Sequence, residues 1–258
     1  MAQAIIGGLT RRGMPADQLE VVEPSAPARE QLRSQFGIVA QAQAGAGLSR
    51  AGMVVWAVKP QTFKEAAGQV RAHTATALHL SVAAGITTSS IAAWLGTRKV
   101  VRAMPNTPAL VGHGISALYA LATVSPEHRN LAERVIATTG KFLWVSNEAQ
   151  LDAVTALSGS GPAYVFFFLE AMQQAGTEMG LTPQQAYELS LETFAGACEL
   201  ARASAEPPEV LRQRVTSPGG TTHAAITSME NDDIKARFMR ALHAAQRRAR
   251  ELGSEFGA

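Results

Sequence analysis

The sequence of 258 residues is short of the features that announce many function classes. It holds one cysteine, Cys198, so no disulfide closes within the chain, and a reducing, cytoplasmic setting is expected. Cys198 sits in an alanine-rich helical pattern with no nearby base or cation to lower its pKa, which points to packing rather than nucleophilic chemistry. Charge is sparse, at 17% of residues and a formal net of +2. Arg11 and Arg12, like Arg247 and Arg248, read as solvated helix faces, so no nucleic-acid partner is expected. No apolar run approaches the roughly 18 residues that span a bilayer, so no membrane partner is expected. The first ten residues lack the basic start and cleavage signal of an export sequence. No metal centre is expected, and neither an internal repeat nor a low-complexity tail is visible.

What is present is apolar: 47% of residues, over a length that exceeds a typical single domain. The periodicity changes near residue 147. Before it, short β-branched runs alternate with amphipathic stretches. The runs are LEVVE (19–23), GIVAQ (37–41), MVVWAV (53–58), ALHLSV (77–82), KVVRAM (99–104) and FLWV (142–145); the stretches include 26–35, 61–71 and 125–138. That alternation predicts a parallel sheet covered on both faces. After residue 147 only helical patterns follow, at 162–179, 183–204, 207–214 and 232–252, with Gly180 closing one and Thr182-Pro183 opening the next. The expected division is an α/β domain over 1–147 and an all-α domain over 148–258. The opening, MAQAIIGGLTRRG, predicts an amphipathic helix with no strand and no glycine-rich turn ahead of it, and Gly7-Gly8 inside it reads as close helix–sheet packing.

Three sets of residues carry chemistry. Ala57, Val58, Lys59 and Pro60 end a buried strand, and ligands of open α/β sheets sit outside the carboxyl ends of strands; Lys59 is equally readable as the first exposed residue after the strand. SVAAG (81–85) and RAMPNTP (102–108) also put small residues or proline at strand ends, leaving room for a flat ring. LSGSGPAY (157–164) and TSPGGTTHAAI (216–226) place glycine, serine and threonine just ahead of predicted helices. Helix starts offer free N–H groups and a positive dipole end, so two of them suit a small carboxylate. Ordinary capping would account for Ser160 or Thr221, though not for the doubled glycine.

In order and spacing, IIGGL, AVKP, SVAAGIT, RAMPNTPALV, TALSGSGPAYVF and TSPGGTT resemble pyrroline-5-carboxylate reductases, over Met1 to about Leu252. The resemblance implies a Rossmann-type domain followed by an all-α dimerisation domain, assembled as a homodimer or a ring of dimers. It implies reduction of 1-pyrroline-5-carboxylate to L-proline by hydride transfer from NADPH or NADH. It further implies that Ser25, Ala57 to Pro60, Val82, Ala83, Ala84 and Asn106 line the cofactor. Ser158, Gly159, Ser160 and Gly161, with Ser217, Gly219, Gly220, Thr221 and Thr222, would form the substrate pocket, and Thr222 would contact the substrate nitrogen. Family members begin with a strand and a G-x-G-N-M turn; Met1 aligns with the last residue of that turn, so a chain that starts about a dozen residues late is expected, with a compromised sheet and weak activity if those residues are truly lacking. Glu23 favours the free ribose of NADH, whereas Ser25 and Arg29 sit where a 2′-phosphate would be met. Ala44 stands where some members carry a polar adenosine contact.

Two alternatives stand beside this expectation. A β-hydroxyacid dehydrogenase shares the layout but needs a lysine base on an early helix of the second domain, and 162–179 contains no lysine. His223 would be the substitute base, though it reads better as a helix-start residue. A non-catalytic nucleotide-binding or assembly module is the other.

Overall fold

The computed structural model describes residues 1–256, which pack as two compact units: Met1–Gly161 together with the chain from Ala245 onward, and Pro162–Ala244. Residues 148–161, allotted by periodicity to the helical half, pack with the first unit.

The expected opening helix forms as α1 (Ala2–Arg11), burying Ala4, Ile5 and Ile6. α2 (Ala26–Phe36) follows and ends at Gly37 in the left-handed region. LEVVE and GIVAQ, predicted as full strands, meet only in one parallel bridge, Val22 with Gln41. Pro24 removes the next donor on one side, and a bend at 42–43 ends the other.

β1 (Met53–Trp56), α3 (Pro60–Val70), β2 (Leu78–Ser81), α4 (Thr88–Leu95), β3 (Val100–Met104), β4 (Gly114–Ala120), α5 (Pro126–Ile136) and β5 (Gly140–Trp144) complete the α/β layer. The sheet runs in the order β1-β2-β3-β4-β5. It departs from the predicted all-parallel sheet in one pairing, β3 with β4, which is antiparallel. The link 105–113 holds only the 3-10 turn Thr107–Val111, too little chain for a crossover helix, so the strand must return antiparallel. β4 itself, GISALYA, escaped prediction because it lacks a β-branched run.

One face of the sheet buries Leu78, Leu80, Val101, Ala103 and Leu118 with Ile5 of α1 and Ile136 of α5. The other buries Trp56 and Val100 with Phe63, Ala67, Ile91 and Leu95 of α3 and α4. Each large side chain so buried contributes about 1.5–3 kcal/mol. The glycine pair in α1, expected from sequence to pack closely on the sheet, meets other neighbours instead. A β-carbon on Gly8 would lie 2.5 Å from Thr138 Oγ1, and one on Gly7 would meet Arg11 and Phe36.

α6 (Gln150–Val154) is followed by a π-helical turn, Thr155–Gly159, and then α7 (Gly161–Glu178). α8 (Pro183–Ala203) opens on the predicted Thr182, whose side chain and that of Gln185 form a reciprocal capping box. α9 (Pro208–Arg214), α10 (Thr221–Asn231) and α11 (Ile234–Phe256) follow. Within the second unit, Phe238 meets Tyr164 and Phe168 edge-on at 5.7 and 5.6 Å between ring centroids. Gly176 admits Ala186 of α8, since a β-carbon there would lie 2.8 Å from that methyl. Little else in this unit is covered: Phe166, Phe167, Met179, Leu189 and Leu200 are all exposed. Among the described residues, no helix is long and apolar enough to cross a membrane.

Candidate functional site

The first unit gathers several predicted residues on one edge. β1, β2 and β3 are parallel, with Trp56 paired to Ser81 and Ser81 to Arg102, so their carboxyl ends lie side by side. The Val82 N–H donates to Trp56 O at 3.1 Å, which stitches the segment leaving β2 to the end of β1. Ala57, Val58 and Lys59 leave β1 and turn into α3 at Pro60, in the first turn of the helix, where a missing N–H costs nothing. The Lys59 side chain is exposed, and its carbonyl accepts from Thr62. Val82, Ala83 and Ala84 run to Gly85, whose φ of +80° is the left-handed conformation that glycine adopts without strain. Asn106 follows β3; its Oδ1 accepts the Ile115 N–H at 3.0 Å, and its Nδ2 donates to Ser158 Oγ at 3.4 Å.

That last contact brings the SGSG motif to the same edge, in a form the sequence did not predict. Ser158 and Gly159 are not a loop approaching a free helix start. They lie in the π turn, and the Ser160 N–H donates to Thr155 O at 2.8 Å instead of standing free. A β-carbon on Gly159 would lie 2.6 Å from Met104 Cε, so the glycine lets the turn settle against β3. π turns interrupt the regular helix ladder and recur at functional sites. Ser160 keeps helical backbone angles, which rules out the capping role considered for it. Gly161 opens α7.

Ser25 is the N-cap residue of α2 by position, but its side chain caps nothing. Its N–H donates to Glu23 Oε1 at 2.8 Å, and Arg29 donates to the carbonyls of Glu23 and Pro24 at 2.9 and 2.7 Å. Acid and cation therefore sit together at the start of α2.

The second unit builds the other predicted group by itself. Ser217, Pro218, Gly219 and Gly220 form a tight turn, closed by the Gly220 N–H on Ser217 O at 3.0 Å, with Gly219 at φ +72°. Proline second and left-handed glycine third is the type II pattern. Gly220 is the N-cap of α10, and no side chain caps it. Thr221 and Thr222 therefore keep their hydroxyls for other partners, and the first N–H groups of the helix stay open. Such a start suits a carboxylate.

Sequence reasoning passed over one cluster. Arg102, buried in β3, donates to Glu148 Oε1 at 2.6 Å. Glu148 also accepts the Thr88 N–H at 2.6 Å and the Thr88 hydroxyl at 2.7 Å. Nearby, burial pushes the Asp152 carboxyl up, against the lowering effect of Arg102 and Arg250. The signal was available: an arginine inside VVRAM, an otherwise apolar strand, demands a buried anion.

On the carboxyl edge most of the predicted lining side chains are small, which leaves room for a flat ring, and no carboxylate stands among them. Room of that kind is what the nicotinamide ring of a dinucleotide requires.

Comparisons with known proteins agree. Residues 148–252 match the model described as pyrroline-5-carboxylate reductase dimerisation, and residues 1–85 match that of NADP oxidoreductase, coenzyme F420-dependent. A pyrroline-5-carboxylate reductase of Pseudomonas aeruginosa is 43% identical over 259 residues, covering 100% of this chain and 95% of that protein. One from Pisum sativum is 35% identical over 253 residues, covering 98% and 92%. Among solved structures, the pyrroline-5-carboxylate reductase of Coxiella burnetii superposes with a TM-score of 0.88 at 39% identity, over 97% of this chain and 94% of that one. The Plasmodium falciparum pyrroline carboxylate reductase with NADP bound gives 0.86 at 26% identity, over 97% and 93%.

Proposed function

This chain belongs to the pyrroline-5-carboxylate reductase family, and from that premise we propose how its residues reduce 1-pyrroline-5-carboxylate to L-proline with NADPH or NADH. The alternatives of a β-hydroxyacid dehydrogenase and of a non-catalytic module give way to this membership. The bound dinucleotide supplies the hydride.

Val82, Ala83 and Ala84, with Ala57 to Pro60 and Asn106, would hold the nicotinamide end of the cofactor. Ser25 takes the adenosine side. The substrate is a cyclic imine bearing a carboxylate. Protonation at nitrogen concentrates positive charge on the carbon that accepts hydride, so the protein needs no strong base; its task is to hold that carbon about 3–3.5 Å from the donor carbon. The open N–H groups at the start of α10, beginning with Thr221, bind the carboxylate; Gly219 and Gly220 let it approach, and Ser217 lines the turn. The Thr222 hydroxyl hydrogen-bonds the ring nitrogen. Ser158 to Gly161 are substrate-binding residues as well. The observation that carries this placement is the Asn106–Ser158 contact, which puts the SGSG motif on the carboxyl edge of the sheet. The assembly is a homodimer or a ring of dimers, and the setting is the cytoplasm.

The test is to follow oxidation of NADH and of NADPH by the purified chain with 1-pyrroline-5-carboxylate, and with 3-hydroxyisobutyrate and the oxidised cofactors as the control. Proline formation with the imine and no reaction with the alcohol is the expected result. The reverse would overturn the reading.

A further inference from the structure

The Arg102–Glu148–Thr88 cluster touches none of the residues assigned to substrate or cofactor, yet it lies between two segments that carry them. Glu148 stands in the link between β5 and α6. Its carboxylate takes hydrogen bonds from β3, through Arg102 at 2.6 Å, and from the first residue of α4, through the N–H and hydroxyl of Thr88 at 2.6 and 2.7 Å. Thr88 ends the stretch that begins at Val82, and it is 1% exposed. A carboxylate at a helix start also meets the positive end of the α4 dipole. Toward the other side, Glu148 precedes α6, which runs into the π turn and Ser158.

Two further contacts close the frame around the same segment. Gly85 and Gly253, in the last turns of α11, approach backbone to backbone: a β-carbon on Gly253 would lie 2.9 Å from Gly85 O. Arg250, one turn earlier, lies 3.9 Å from Asp152 of α6. The stretch from Val82 to Thr88 is therefore pinned at its middle, by α11 at Gly85, and at its far end, by Glu148 at Thr88, while Glu148 also precedes the helix that leads to Ser158.

We propose that Glu148 is a positioning residue for hydride transfer: by gripping Thr88 and Arg102 together it sets the Val82–Gly85 segment and the π turn at Ser158 in one rigid register. This rests on the functional reading above, in which those segments face the cofactor and the substrate. A buried arginine alone would be served by any carboxylate. What marks Glu148 is that one carboxylate satisfies the arginine and two donors of Thr88 at once, so removing it frees the loop as well as the charge.

The experiment compares the full-length enzyme with Glu148→Gln, Glu148→Asp and Glu148→Ala. Read-outs are kcat and KM for the imine, the dissociation constant of each reduced dinucleotide by its fluorescence, thermal midpoint, and the primary deuterium isotope effect with 4-deuterated cofactor. Glu148→Gln should lose roughly 10- to 100-fold in kcat, the scale of an ångström-sized misplacement. Its isotope effect should rise as hydride transfer becomes limiting, and its dinucleotide affinity should stay within a few fold. Glu148→Asp should recover part of kcat. If Glu148→Ala does not fold, the Gln and Asp variants decide. An unchanged kcat in Glu148→Gln overturns the inference, and so does a loss that merely follows the unfolded fraction with an unaltered isotope effect. A wild-type enzyme that binds dinucleotide but leaves the imine unreduced overturns the functional reading, and the positioning role with it.

Discussion

Trp56 donates its indole N–H to Nδ1 of His79 at 2.9 Å across the β1–β2 pair. An indole can only donate, so Nδ1 is the acceptor and the ring proton sits on Nε2, 3.2 Å from Thr74 O. His79 is fully buried. Burial lowers its pKa from 6.5 to about 4, opposed by the Thr74 carbonyl. The neutral imidazole is thus a structural hub of the sheet.

A pH dependence of stability follows. The unfolded chain binds a proton at His79 below about pH 6.5, whereas the folded one resists it down to about 4. Stability from this residue is full above pH 6.5 and falls as the pH drops toward 4, by up to about 3 kcal/mol. Thermal midpoints from pH 8 to pH 4 should fall more steeply for the wild type than for His79→Gln, which carries no titrating group. Parallel curves would exclude His79 as the cause.

Thr222→Ala should lower kcat by roughly 10²–10³, the typical loss for one positioned donor, and Thr222→Ser should retain most of the rate. Since no side chain caps α10, stability should hardly change in either variant. Steady-state kinetics with the imine checks this, and an unaltered rate in Thr222→Ala removes the residue from the chemistry.

The two glycines of α1 should separate. Gly8→Ala drives a methyl into Thr138, side chain and carbonyl both within 2.6 Å, and should cost about 1–3 kcal/mol. Gly7→Ala meets the mobile tip of Arg11 and the Phe36 ring edge at 3.2 and 3.4 Å. A small adjustment accommodates it, and the gain in helix propensity stabilises the protein by up to about 1 kcal/mol. Chemical denaturation of both variants checks the order.

Phe167 and Leu200, 67% and 69% exposed in the single chain, belong to the helical unit that matches a dimerisation family. Phe167→Glu and Leu200→Glu should each weaken self-association in sedimentation velocity, while Lys64→Glu, on α3 of the other unit, should leave it as in the wild type. Equal association in all of them would place the contact elsewhere.

Much of this molecule was legible in its residues. The alternation of strands and helices before residue 147, the cap at Thr182 with Pro183 behind it, and Gly180 closing the helix before it all act locally, through periods of side chains and backbone torsions that a short window contains. β4 was missed because its pairing partner, not its composition, makes it a strand. LEVVE and GIVAQ failed as full strands because a strand needs neighbours, and they find one another only at Val22 and Gln41. The site divided in the same way. Small residues at strand ends announced the carboxyl edge, and Gly219-Gly220 announced a helix start. The winding of Ser158 and Gly159 escaped notice, because an i→i+5 bond has no residue signature. Glu148 escaped too, since its three partners come from Arg102 and Thr88, far along the chain.

The π turn has a further consequence for how this protein tolerates change. Such a turn accommodates an extra residue in an ordinary helix, so deleting one codon between Thr155 and Gly159 would let the bulge anneal into a plain spiral. Residues downstream, Ser160 and α7 among them, would then keep nearly their present azimuth, because the bulge had already absorbed the extra residue, and only the widened winding at Ser158 and Gly159 would be lost. A one-residue deletion in this short stretch should therefore leave α7 folded as it is and abolish only the local winding that brings Ser158 to Asn106.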